Sequence, residues 1–355
     1  MDIRITRTTT PKPRPDESDL GFGVRFTDHM FRADYSVDGG WHDARLVPYG
    51  SLGLDPAASV FHYGQAMFEG LKAFRVADGR ICMFRPDANA RRMHDGAPRL
   101  CMVAPPVSDM LAAFDTLVRE DQDWVPSAPG TALYIRPTLV ATEAFLGVRP
   151  ATRLTYFIIA SPVGSYFAGG GLKSVRIWIE TSEVRAPRGG LGGVKAGANY
   201  AASLHAATSA RRVGYDQVLW LDARDHQYVE EVGTMNFFAV IDGTLVTPPL
   251  SDSILAGITR DSLLTLAADL GIPTEVRPLG LDELIAAHRA GTLTEAFGAG
   301  TAAVVSPISE LGLDGASLRL GDGTPGPVAR GLYAELTDIQ RGLKDDRHGW
   351  LRVVV

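Results

Sequence analysis

Gly189-Gly190-Leu191-Gly192-Gly193-Val194-Lys195-Ala196-Gly197-Ala198-Asn199-Tyr200 sets one lysine in a glycine-rich turn, just ahead of a segment with helical character. The chain holds five lysines, Lys12, Lys72, Lys173, Lys195 and Lys344, and otherwise takes arginine for its basic residues. An amine can lose its proton and form a Schiff base, which a guanidinium cannot. A solvated lysine in a mobile loop fits this stretch equally well, so the rest of the chain decides.

Length and composition narrow the field. At 355 residues the chain is too long for one ordinary domain and suggests two. A content of 45% hydrophobic and 21% charged residues is that of a soluble globular protein. The net charge of -6, with no basic cluster, excludes a nucleic-acid partner. Cys82 and Cys101 lie far apart and lack metal-ligand spacing, so we expect reduced thiols, a cytoplasmic location and no bound metal. Thr8-Thr9-Thr10-Pro11-Lys12-Pro13 stands where a signal peptide would need an apolar run, and no apolar stretch is long enough for a bilayer.

In the first half, residues 1–20 are rich in Thr, Pro, Asp and Arg and predict a loose arm. Strand-like pieces follow over 22–35 and 45–49, divided by Asp38-Gly39-Gly40. The aromatics Tyr63 and Phe68 lie in Phe61-His62-Tyr63-Gly64-Gln65-Ala66-Met67-Phe68-Glu69-Gly70-Leu71-Lys72-Ala73-Phe74, where core packing is the ordinary fate of such residues. A strand over 79–86, ending at Pro86, leads to Asp87, a fair N-cap for a helix running toward Leu100. Its adjacent Arg91 and Arg92 point to different parts of the helix surface, and the sequence does not tell which could reach an anion. A second helix is predicted over 108–121, where Met110, Leu111, Phe114, Leu117 and Val118 recur at helical spacing. Strands over 131–140 and 154–161 flank a loop containing Gly147-Val148.

Residues 165–174 read as an interdomain linker. A phosphate-binding loop is excluded there, because Leu172 stands before Lys173 and a β-rich stretch follows. Beyond Lys195 the pattern predicts a helix over 200–212, closed by Gly214. The next strands carry two adjacent carboxylates, Glu230 and Glu231, into an apolar run. A buried one would need a cationic partner. Asp242-Gly243 signals a hairpin. Gly257-Ile258-Thr259 leads into a helix over 262–270, a start that suits either a phosphate or an ordinary N-terminus. Phe297-Gly298-Ala299-Gly300-Thr301-Ala302 puts small residues where backbone must come close to something. A closing helix is predicted over 328–342.

An amine, a nearby tyrosine, a carboxylate on a strand and two glycine/threonine anion sites make the set that pyridoxal 5′-phosphate asks for. The motifs Gly193-Val194-Lys195-Ala196-Gly197-Ala198-Asn199-Tyr200, Glu231-Val232-Gly233-Thr234-Met235-Asn236 and Phe297-Gly298-Ala299-Gly300-Thr301-Ala302 resemble those of the branched-chain amino acid aminotransferases. Phe68-Glu69-Gly70-Leu71-Lys72-Ala73-Phe74 and Tyr134-Ile135-Arg136-Pro137 agree, so the resemblance runs from about residue 25 to 340. It implies a two-domain α+β or α/β architecture of fold type IV. A small N-terminal domain (21–164) and a larger C-terminal cofactor-binding domain (175–355) would be joined by the linker, with the cofactor at the domain interface.

Carried over residue by residue, the resemblance makes Lys195 the Schiff-base lysine and proton carrier. Glu231 matches the partner of the pyridine nitrogen, and Tyr200 that of the phenolic oxygen. Arg92, Ile258, Thr259, Gly300 and Thr301 match the phosphate-binding set. Phe68, Tyr134, Arg136 and Thr234 fall on substrate-pocket positions, and Thr301 with Ala302 on the donors to the substrate carboxylate. Tyr63 and Val148 match positions supplied by a neighbouring subunit, which implies a homodimer. The implied reaction is ping-pong transfer of an amino group from leucine, isoleucine or valine to 2-oxoglutarate, giving branched-chain 2-oxo acids and glutamate. Mammalian members carry a Cys-x-x-Cys where this chain has Ala303 and Ser306, so that form of thiol regulation does not extend here. The alternatives are a D-amino acid aminotransferase or an aminodeoxychorismate lyase of the same fold, and, in a different class, a non-catalytic module that uses its glycine loops only for turns.

Overall fold

Two nine-stranded sheets carry the chain, each inside its own compact unit. The structure, a computed structural model, describes residues 1–164 and 171–355. The expected linker thus lies partly outside the described residues. One unit takes Met1–Ala168, Val194–Ala198 and Ile339–Val355, and the other takes Gly169–Gly193 and Asn199–Asp338.

The first unit contains β1 (Arg4–Ile5), β2 (His29–Ser36), β3 (Gly40–Pro48), β4 (Ala66–Phe68), β5 (Leu71–Arg75), β6 (Ile81–Phe84), β7 (Ala132–Ala141) and β8 (Arg153–Val163). Its helices are α1 (Ser59–Tyr63), α2 (Pro86–Gly96) and α3 (Val107–Glu120). The second unit follows with β9 (Val175–Ile179), β10 (Gln217–Leu221), β11 (Val229–Val232), β12 (Met235–Ile241), β13 (Thr244–Thr247), β14 (Thr274–Val276), β15 (Leu293–Gly300), β16 (Val304–Leu313) and β17 (Ala316–Arg319). Helices α4 (Gly197–Ala202), α5 (Leu204–Arg212), α6 (Ile258–Asp269), α7 (Leu281–Arg289) and α8 (Pro327–Gln340) complete the set. The last strand, β18 (Leu351–Val353), pairs with β6. Residues 339–355, expected with the C-terminal domain, therefore lie with the first unit.

The first sheet runs β1-β3-β2-β8-β7-β5-β6-β18, with β4 on β7, and the second β11-β10-β9-β16-β15-β12-β13-β14, with β17 on β16. Most pairings are antiparallel, which makes the architecture α+β. Alternation along β7 decides what the first sheet offers on each face. Leu133, Ile135 and Leu139 are fully buried in a core shared with Met110, Phe114 and Leu117 of α3. Tyr134 and Arg136 point to the other face. The second core gathers Ile177, Leu219, Phe237, Leu284, Ile308 and Leu311.

Local differences from the sequence expectations have local causes. The N-cap of α2 is Arg85, not Asp87, because Pro86 takes the first helical position, where its missing amide costs nothing. The helix expected over 200–212 is broken at Ser203 into α4 and α5. α6 begins a turn early, at Ile258. Asp242 and Gly243 both take positive φ, as a two-residue hairpin loop requires. The first 20 residues are not loose. β1 pairs with β3, Thr8 N donates to His29 Nε2 at 3.0 Å, and Lys12 N donates to Asp28 Oδ1 at 2.8 Å. Buried His29 and Asp28 supply the partners that a polar composition does not reveal. Among the described residues no helix is long and apolar enough to cross a membrane.

Candidate active site

Within the first unit, Lys195 lies on a short extended piece that runs along β4. Ala196 bridges Met67, and Phe68 N donates to Lys195 O at 3.1 Å. Its Nζ stands 4.9 Å from the centre of the Phe68 ring. Loss of water pushes the amine down to about 8, and the Arg92 and Arg136 charges push the same way, while Glu69 and Tyr134 oppose them. A lysine so placed supplies neutral amine close to neutral pH.

α2 answers which arginine turns inward. Arg91 pairs with Asp87 on the exposed face of its own helix. Arg92 instead grips Glu69 at two points, Nε to Oε1 at 2.7 Å and Nη2 to Oε2 at 2.8 Å. Glu69 is 1% exposed and also accepts from Asn89 Nδ2 at 2.7 Å and from Gly70 N at 3.2 Å. Burial works against its charge, but Arg92, Lys195 and Asn89 outweigh burial, and the carboxyl lies below its ordinary range.

On the open face of β7, Arg136 Nη2 donates to Tyr134 Oη at 2.9 Å. The Arg136 guanidinium lies 4.7 Å from the Phe68 ring centre and 5.2 Å from that of Tyr134. Gly70 is required here, since a Cβ would occupy the place of the Tyr134 hydroxyl. Phe22, which no motif singles out, tilts onto Tyr134 at 5.0 Å between centroids. Phe68, Tyr134 and Arg136 thus form one aromatic and cationic face beside the Lys195 amine. Tyr63 and Val148 do not join it. They belong to an exposed apolar patch with Phe61 and Leu146, where the Tyr63 hydroxyl donates to Leu146 O.

In the second unit, Tyr200, Glu231, Thr234, Arg185, Asn236 and Leu255 line one cavity. Glu231 accepts from Leu255 N at 2.7 Å and forms an ion pair with Arg185, Nε to Oε2 at 2.9 Å. Arg185 is anchored in turn by Gly192 O at 2.9 Å and Ser253 O at 2.5 Å. Alternation turns Glu230 away from that cavity. It accepts from Ser253 Oγ at 2.5 Å, and burial raises its pKa. At the same end of the sheet, a Cβ on Gly300 would lie 4.0 Å from Thr234 O, so the Gly300-Thr301-Ala302 turn and Thr234 are neighbours. Ile258 and Thr259 open α6, and Gly257 before them makes way for the Asn236 side chain.

Glu69, Arg185 and Asn236 have no role that the sequence motifs alone assign. Glu69 lies inside one of those motifs, but its partnership with Arg92 spans 23 residues and shows only in the fold.

The amino-transferase class IV sequence profile matches residues 66–311. The chain is 50% identical to Branched-chain-amino-acid transaminase 1 of Bacillus subtilis (strain 168) over 350 residues, 98% of each chain. It superposes on the branched-chain amino acid aminotransferase of Escherichia coli with a TM-score of 0.77 at 28% identity, covering 92% of this chain and 99% of that one. The branched-chain amino acid aminotransferase of Thermobaculum terrenum, solved in its PLP form, gives 0.75 at 26% identity over 92% and 98%.

Proposed function

The chain belongs to the class IV aminotransferases, and from that premise we propose that it acts as a branched-chain-amino-acid transaminase of fold type IV. Pyridoxal 5′-phosphate is its cofactor. Leucine, isoleucine and valine give up their amino group, and 2-oxoglutarate receives it. The observation that carries this reading is Lys195, an amine held at about 8 beside the Phe68 ring.

The residues of each unit fit the cofactor's chemistry. When bound, the cofactor supplies an electron sink for the negative charge that develops at the substrate Cα. Lys195 Nζ would hold it covalently and, as a free amine, would be the base nearest the substrate Cα proton. Glu231, backed by Arg185, would keep a proton on the ring nitrogen, and the Tyr200 hydroxyl would donate to the phenolic oxygen. By the resemblance of their motifs, Arg92 of the first unit and the Ile258 and Thr259 amides, Gly300 and Thr301 of the second would be the donors to its phosphate. By the same resemblance, Phe68 and Tyr134 of the first unit and Thr234 of the second are assigned to the substrate side chain, and the amides of Thr301 and Ala302 would take its carboxylate. Arg136, tied to Tyr134, meets the distal carboxylate of glutamate, so one pocket serves apolar and acidic substrates.

The exposed patch of Phe61, Tyr63, Leu146 and Val148 suits a second copy of the chain, and a homodimer is the unit we propose. Free Cys82 and Cys101 suit the reducing cytoplasm.

Purified protein should be yellow, and borohydride should fix the colour to Lys195. Colourless protein that takes up no pyridoxal 5′-phosphate would overturn the reading. Leucine should outpace D-alanine as donor to 2-oxoglutarate, and the reverse order would favour the D-amino acid enzyme.

A further inference from the structure

Glu69 has no part in the chemistry described so far, yet Arg92 leans on it directly, and the residue before it ties down Lys195, Phe68 N donating to Lys195 O at 3.1 Å. It is almost wholly buried, and its carboxylate is surrounded by donors: Arg92 at two points, Asn89 and the Gly70 amide. The two-point grip fixes the plane of the Arg92 guanidinium, which a single contact would leave free to turn. The backbone of Glu69 is itself pinned, its amide donating to Pro137 O at 2.8 Å.

Among the described residues, the strongest charged and titratable influences on the Lys195 amine come from three places. Arg92 belongs to α2, Tyr134 and Arg136 to β7, and Glu69 to the turn between β4 and β5. Glu69 is the carboxylate among them, and it opposes the two arginines. Its field also reaches the buried Tyr156 hydroxyl, which it helps burial to keep protonated.

We infer that Glu69 is a positioning residue shared by Arg92 and Lys195: it aims Arg92 at the cofactor phosphate and offsets the arginine charges around the amine. This rests on the assignment of Arg92 and Lys195 given above. A rigid guanidinium loses less freedom when the phosphate arrives, so part of the ordering is done before binding. Burial and, after it, the two arginines favour the neutral amine, and Glu69 limits that effect.

Two variants separate the halves of the inference. Glu69→Gln keeps the shape but turns an amide donor toward Arg92 and removes the charge. Glu69→Asp keeps the charge but is too short to hold both arginine nitrogens. Each is compared with wild type for affinity toward pyridoxal 5′-phosphate and toward pyridoxal, which lacks the phosphate. The Lys195 titration is followed in the cofactor-free full chain by its rate of acylation against pH, with circular dichroism as the check on folding. Both variants should lose about tenfold in affinity for pyridoxal 5′-phosphate while pyridoxal binding stays within about twofold. Glu69→Gln alone should move the Lys195 titration to lower pH.

Folded variants in which the two ligands weaken together, or in which neither changes, would overturn the positioning of Arg92. A Lys195 titration unmoved in Glu69→Gln would overturn the charge role. If Glu69→Gln does not fold, Glu69→Asp still decides the first point, and a shifted Lys195 titration in that variant would overturn the second. If wild type itself binds neither ligand, the cofactor reading fails instead, and the acylation profiles still judge the effect of Glu69 on Lys195.

Discussion

Arg185 and Glu231 face each other as a buried ion pair, Nε to Oε2 at 2.9 Å, with side chains 7% and 3% exposed. Removing one partner strands the other charge in the interior. Arg185→Met, close in volume and without charge, should lower stability by about 3–5 kcal/mol. It should also weaken the hold on the cofactor ring. Denaturant unfolding with and without pyridoxal 5′-phosphate measures both, and an unchanged midpoint would mean that Glu231 draws its support elsewhere.

Lys195→Ala should cut transamination of leucine by about 10^4-fold, since both the covalent anchor and the proton carrier go. Cofactor binding should survive in part through Arg92, Tyr200 and Glu231. Steady-state rates and equilibrium dialysis check the two halves, and activity near that of wild type would remove Lys195 from the role given to it.

Arg136→Met should separate the two substrates of the one pocket. Glutamate and 2-oxoglutarate should lose about 2 kcal/mol of binding, roughly thirtyfold in kcat/KM, from one lost charged contact. Leucine should change far less. Equal losses for both would point to collapse of the Tyr134 hydrogen bond rather than to a missing carboxylate contact.

Burial brings both Lys195 and Lys72 down from 10.5 to about 8 in the folded chain. Below pH 8 both states carry the protons, and the full cost of burying the charge is felt. Between about pH 8 and 10.5 the unfolded chain binds more protons than the folded one, so these two amines make stability rise with pH. Unfolding of the cofactor-free protein across that window should show the rise, and Lys195→Met should reduce its slope. A slope indifferent to that change would place the folded-state amine near its ordinary value.

Val148 is 86% exposed and Leu146 62%, beside Phe61 and Tyr63. A Leu146→Asp, Val148→Asp double variant should run as a monomer in sedimentation, with transamination lost. Wild-type protein that already runs as a monomer would refute the dimer.

Much of the proposed site is legible in the sequence because short ordered motifs carry it. Lys195, Tyr200 and Thr301 each have a small residue as an immediate neighbour, and Glu231 lies two residues before Gly233. What is not legible there depends on which way neighbours turn. Glu230 and Glu231 must point to opposite faces of a strand, but only Ser253 on one side and Arg185 on the other tell which is which. Arg91 and Arg92 differ by one step around a helix, and packing of α2 decides the inward one. The polar N-terminal stretch reads as loose until its hydrogen-bond partners Asp28 and His29 and its pairing with β3 are known. The fold class follows from the family resemblance of the motifs, whereas the return of residues 351–353 to β6 has no local signal.

That return has a consequence for how the chain is made. β6 emerges early in synthesis, but the strand that covers its edge comes only after the whole second unit. Throughout that interval β6 offers unpaired amides and carbonyls to any passing strand. A ribosome stalled within the second unit would therefore release a product whose first sheet is open along that edge, prone to join another copy through it.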